Sequence, residues 1–262
     1  RILAESPFKE ARVEILIAMS NYGAQQTLLA MSKEDAQKIW DEPEFAEKKV
    51  DLTSDLASQK KLKENCGIET LEYLFKQNDA TRNISEEKII ETVINAIVRE
   101  GQLQRFGQEE AKVPVSALVE AAKEFDVKLS AISLNFEEFS QVVTKPVTVF
   151  NDYQAVVVIK AGEEITFIEE GKEKVLSRDE FEQQFGTKFG TELRVRALGD
   201  SLKIGSEISQ DKLREIWVAG KGDEDQAKPT PTPEPKNPAE PTPTREPTST
   251  PESTPPVEPT PT

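Results

Sequence analysis

Residues 146–176 read PVTVFNDYQAVVVIKAGEEITFIEEGKEKVL, and this stretch decides the fold class. Four runs rich in β-branched and aromatic residues stand in it: Pro146 to Asn151, Tyr153 to Lys160, Glu164 to Ile168 and Glu173 to Leu176. Turn signals at Ala161-Gly162 and Gly171-Lys172 separate them, as expected of short antiparallel strands. Val127 to Ser133 and Glu192 to Leu198 extend the pattern on either side. Between them, Ser177 and Glu180 form a capping box that opens a helix carrying Phe181 and Phe185.

Upstream the apolar period is helical. Ser6-Pro7 is an N-cap followed by Pro at the first helical position, and Phe8, Ala11, Ile15, Ala18 and Met19 follow at three- and four-residue spacing. Ser32 with Asp35 opens a second helix, which holds Ala36, Ile39 and Trp40. Asp41 to Glu64 reads as a polar stretch leading into Cys66-Gly67 and the amphipathic run Ile68, Leu71, Leu74, Phe75. Asn83 to Gly101 and Pro114 to Phe125 give two more helices, and a last one runs from Ser209 through Leu213, Ile216 and Trp217. Helices first and a small antiparallel sheet second, with no βαβ repeat, predict an α+β fold in which the helices pack on one face of the sheet.

Thirteen of the 17 prolines lie between Pro229 and Pro261, in Thr-Pro and Glu-Pro repeats without an aromatic residue. Such a tail buries too little apolar surface to fold and reads as an extended spacer, so residues 222–262 are assigned as a disordered linker. Spacers of this composition separate modules of secreted or wall-spanning proteins, which predicts an extracytoplasmic place. The start at Arg1 and the end inside the Thr-Pro pattern predict a piece of a longer protein.

Composition excludes several functions. The 262 residues carry 33 Lys and Arg against 48 Asp and Glu, a net charge of −15, which opposes binding to nucleic acid or to an anionic membrane surface. The longest aliphatic run, Ala155 to Ile159, is too short to cross a bilayer. One Cys and no His rule out an intramolecular disulfide, the commonest zinc ligand and the commonest general base. Paired acidic residues such as Glu163-Glu164 lack the spacing of a calcium loop, so neither cofactor nor metal is expected.

Five segments in order carry a resemblance: Gln59 through Cys66-Gly67-Ile68-Glu69-Thr70-Leu71, Val113 to Phe125, Lys145-Pro146-Val147, Ala155 to Ile159, and Leu176 to Glu182. Together they resemble the bacteriocin-leader peptidase domains that precede peptide-exporting ABC transporters, and their secreted relatives, which are papain-like cysteine peptidases. The resemblance spans roughly residues 59 to 190, and implies a helical region over 1–58 and a peptidase-like domain over 59–221. It implies that Cys66 stands where the family has its nucleophile, at a helix N-terminus that lowers the thiol pKa. Gln59 is the nearest candidate for the oxyanion-hole Gln, one residue early. Gln154 falls where the family has its His, and Glu169 where its Asp ends the next strand.

Gln does not accept a proton at neutral pH, so the implied domain is a degenerate copy that holds a peptide or protein segment in its cleft or serves as a structural module. An active cysteine peptidase, with Asp152 or Glu169 as base or with a His from another chain, is the alternative. A carboxylate beside a thiol raises the thiol pKa, which argues against it. Without the resemblance, Cys66 reads as a small core residue, Gln154 and Glu169 as strand residues near sheet ends, and the whole as a surface module on a spacer.

Overall fold

The computed structural model describes residues 9–109, 111–189, 192–200 and 202–219. The Ser6-Pro7 helix start, Phe8 and the assigned linker 222–262 lie outside the described residues.

The first half is helical: α1 (Lys9–Ala18), α2 (Asn21–Leu29), α3 (Lys33–Trp40), α4 (Ala46–Gln59), α5 (Cys66–Lys76), α6 (Glu86–Arg99) and α7 (Leu103–Gln108), then a short strand β1 (Val113–Pro114) and α8 (Val115–Lys123). Ser32 caps α3 by accepting from the Asp35 N–H, and Ser85 caps α6 by accepting from that of Lys88. Helix α6 is the axis of this half, with Ile89, Ile90, Val93, Ile94, Ile97 and Val98 all buried. Trp40 packs into the same core, and its indole N–H donates to Asn95 Oδ1 over 2.9 Å.

One expectation is corrected here. The polar stretch from Asp41 to Glu64 contains α4, which buries Leu52, Thr53 and Leu56 and exposes its acidic and basic residues; the apolar stripe is too narrow to stand out of that composition. One hydrophobic cluster runs from Val13 of α1 through α4 to α5, α6 and α8, so the N-terminal helices share one core with the helices that follow.

The second half contains β2 (Leu129–Leu134), α9 (Phe136–Val142), β3 (Val147–Phe150), β4 (Ala155–Lys160), β5 (Glu164–Glu169), β6 (Lys172–Ser177), α10 (Arg178–Phe185), β7 (Thr187–Phe189), β8 (Glu192–Asp200), β9 (Ser206–Glu207), α11 (Gln210–Glu215) and β10 (Trp217–Val218). All of these strands except β10 form one antiparallel sheet in the order β6-β5-β4-β3-β8-β2-β9, with β7 beside β8. The α+β class is as expected.

The sheet, however, is covered on both faces. Leu129, Ala131, Phe150, Ala155 and Leu198 join the helical core, while Leu134, Val149, Val156, Val158, Phe167 and Val195 join a second cluster with Phe139 of α9 and Phe181 and Phe185 of α10. The Phe181 and Phe185 rings lie 4.6 Å apart in that cluster. Burial on both faces explains why Ala155 to Val158 reads as a continuous apolar run without alternation.

The end of the described chain also differs from expectation. The helix read from Ser209 through Trp217 stops at Glu215, and Trp217 and Val218 are strand β10, paired antiparallel with Pro114 and Val113. Trp217 is buried there, with the Arg105 guanidinium 4.6 Å from its ring centroid.

Candidate functional site

The site is built where the two halves meet. Helix α5 begins at Cys66, and Asn65 caps it, its Oδ1 accepting from the N–H groups of Gly67 at 2.9 Å and Ile68 at 3.2 Å. The same side chain donates from Nδ2 to the carbonyls of Ala111 at 2.6 Å and Val218 at 3.0 Å, so a fully buried Asn ties the helix start to two other segments. Gly67 has a packing reason. A Cβ there would stand 2.5 Å from Val218 Cγ2 and 2.9 Å from Leu118 Cδ1. Gly67→Ala is therefore expected to destabilise the fold by roughly 1–3 kcal/mol through overpacking. Val218→Ala in the same chain should recover part of the loss, and an additive double mutant in urea unfolding would refute the contact.

Cys66 lies against the sheet. Its Sγ accepts from the Ala155 N–H at 3.2 Å and donates to the Ala219 carbonyl at 2.8 Å. Gln154, the residue before Ala155, sits in a tight turn between β3 and β4 that Asn151 closes: Asn151 Oδ1 accepts from the N–H of Tyr153 and of Gln154. The Gln154 side-chain amide donates to Glu169 Oε1, and Glu169 Oε2 pairs with Lys174 across the β5–β6 hairpin. The two loop residues of that hairpin, Glu170 and Gly171, both have positive φ (51° and 69°), the conformation that lets a two-residue turn follow the strand twist and that sets Glu169 opposite Lys172.

Of the residues that stand for nucleophile, base and orienting acid in the resemblance, Gln154 and Glu169 are hydrogen-bonded to each other, and Cys66 touches the backbone of Ala155, the residue after Gln154. Gln59 stands apart from this group. It ends α4 exposed to solvent, the 3-10 turn Leu62–Glu64 separates it from Cys66, and its side chain makes no hydrogen bond among the described residues. The neighbouring Lys60 uses its ammonium on the carbonyls of Gly107 and Glu109. Asp152, the other candidate base, is paired with Arg196 at 2.6 Å.

The electrostatics reverse the expectation for the thiol. Cys66 is half-buried as a residue, but burial of the sulfur pushes the thiol up from 9.0 to about 12, with Glu69 adding to the rise, and the Ala155, Gly67 and Cys66 N–H groups offset only part of it. Desolvation outweighs the helix N-terminus. A consequence is measurable in stability. The unfolded thiol loses its proton near pH 8.5, so the contribution is complete below about that pH and is lost as pH rises, at up to about 1.4 kcal/mol per unit. The loss ends at the folded value of about 12. Between pH 9 and 10.5 the chain should accordingly lose about 1–2 kcal/mol more than Cys66→Ala does in parallel denaturation curves; superimposable slopes would contradict the raised thiol.

Among the described residues, no group of three His, Cys, Asp or Glu is placed to hold a metal ion, and no helix is long and apolar enough to cross a membrane. Asn65, Lys174 and the segment Trp217–Ala219 are the parts of the site that sequence reasoning missed. Asn65 carries a readable signal, an Asn directly ahead of a helix start. The other two are brought in by pairing across the sheet and between the halves. Comparison of the chain with family models, with curated proteins and with solved structures returns no match.

Proposed function

We propose that this domain is a retired cysteine peptidase of papain-like design, the bacteriocin-leader peptidase resemblance carrying the family, that now works as a peptide-binding or structural module of an extracytoplasmic protein. The observation that carries this reading is the Gln154–Glu169 pair beside the Cys66 strand contact. A base position filled by an amide neither takes the thiol proton nor returns it to a leaving amine. The thiol pushed to about 12 agrees with it, because essentially no thiolate exists at neutral pH. The Thr/Pro/Glu composition of residues 222–262 supports the extracytoplasmic part.

The experiment is hydrolysis of a mixed peptide library by the full chain, with and without reductant, beside Cys66→Ala. Identical, background-level traces from both proteins are expected. Turnover that disappears in Cys66→Ala would sink the proposal and establish the peptidase alternative.

A further inference from the structure

Resting on the retired-peptidase reading, we propose that Trp217–Ala219 is an exchangeable occupant of the Cys66 cleft, seated in cis as the acyl side of an extended peptide, and that an extended apolar peptide segment from another chain enters by taking its place.

The backbone of the segment is bonded to both halves, as a peptide lying between them must be. On the helical side β10 pairs with β1, Val218 opposite Val113, and the Val218 carbonyl accepts from Asn65 Nδ2 at 3.0 Å. On the sheet side the Ala219 N–H donates to the Tyr153 carbonyl at 2.8 Å, one residue from Gln154. Between these anchors, the Ala219 carbonyl accepts from the Cys66 N–H at 3.2 Å and lies 2.8 Å from Cys66 Sγ. A backbone N–H at a helix start with a thiol beside it is the arrangement that holds the carbonyl oxygen of a peptide under attack, because the donor is aimed where negative charge would develop.

The side chains define what the cleft takes. Val218 is fully buried and packs on Gly67, whose missing Cβ leaves room for a β-branched residue, and Ala219 is 4% exposed, so the position nearest the sulfur accepts a small residue. Trp217 fills the next position under Arg105. Recognition is therefore by strand pairing plus apolar shape, with no charge required of the peptide. Exchange requires these hydrogen bonds to open together and Trp217, Val218 and Ala219, all nearly fully buried, to leave their seats. The one feature that favours exchange is the length of its strand pairing with β1, only two residues.

The test starts with native-state hydrogen exchange on the full chain. The amides of Cys66, Val115 and Ala219, which hydrogen-bond to Ala219, Ile216 and Tyr153 respectively, should exchange together and at least about tenfold faster than the core amides of α6 from Ile89 to Val98. Exchange of all of them at one global rate would make the segment an integral strand and overturn the proposal. The second measurement uses a fluorescent peptide of residues 213–222, LREIWVAGKG, as the probe. A Val218→Asp chain, whose own segment is disfavoured in the apolar seat, should bind it at least about tenfold more tightly than the unmodified chain does. Equal affinity, or none to a variant that keeps its helical circular dichroism, would also overturn it. If Val218→Asp does not fold, the exchange experiment on the unmodified chain decides. Failure of the underlying reading looks different: the unmodified chain would hydrolyse peptides, whatever the exchange rates.

Discussion

Gln154→His is expected to bring the pH midpoint of Cys66 alkylation down from about 12 by two units or more. Near neutral pH, where the rate follows the thiolate fraction, that corresponds to roughly 100-fold faster reaction with iodoacetamide. The expectation follows from three fixed features. Asn151 closes the turn that aims residue 154, so the new ring starts from a defined backbone. Glu169 already accepts a hydrogen bond from the side chain at 154 and would hold the imidazole by one N–H, as an orienting carboxylate does. The other ring nitrogen is then available to the thiol, and an imidazolium beside sulfur opposes the desolvation that now keeps the proton on. The pH profile of alkylation from 6 to 11, taken for both proteins, reads the effect directly. A midpoint that does not move would mean that position 154 does not address Cys66, and the retired-peptidase proposal would lose its main observation.

Asn65→Ala should be the most destabilising single truncation at the site, by roughly 2–4 kcal/mol. The residue is fully buried and makes four hydrogen bonds, two accepted from the first turn of α5 and two donated to carbonyls of Ala111 and Val218. Alanine removes the cap, and it also takes the donor from the Ala111 carbonyl and from the buried Val218 carbonyl. Asp at this position keeps the acceptor but turns an ionised carboxylate toward two carbonyl oxygens, so Asn65→Asp should lose at least as much stability as Asn65→Ala near neutral pH. Urea midpoints of the three proteins order the effects. An Asn65→Ala loss below about 1 kcal/mol would show that the residue is only a helix cap.

Much of the sheet was legible because its signals are local. The runs at 147–150, 155–160, 164–169 and 172–177 are bounded by Gly and polar turns, and the Ser177–Glu180 box fixes the next helix start to the residue. Helix α4 was hidden for the opposite reason: Leu52 and Leu56 are a thin stripe among Lys, Glu and Asp, and what makes it a helix is the packing of that stripe on α6. The two-sided cover of the sheet was equally out of reach, since Phe139, Phe181 and Phe185 announce helices but not which face they close.

At the site, Cys66, Gln154 and Glu169 were singled out by the resemblance alone, whereas the state of the thiol was out of reach. A helix N-terminus is visible in sequence; the depth at which its first residue is buried is decided by Ala155 from the sheet and Ala219 just after β10, far away along the chain. Trp217 shows the same limit. Its spacing from Leu213 fits a helix, and its partner in the fold, Pro114, lies more than a hundred residues earlier.

The position of Ala219 gives the cleft a mechanical side. Every residue of the Thr/Pro/Glu segment is joined to the domain through it, so a pull along that segment loads the bonds to Tyr153 and Cys66 before it loads any helix. Load entering the domain at Ala219 would be felt first at the sulfur, so the state of the Cys66 contact and the pull on this strand are mechanically linked.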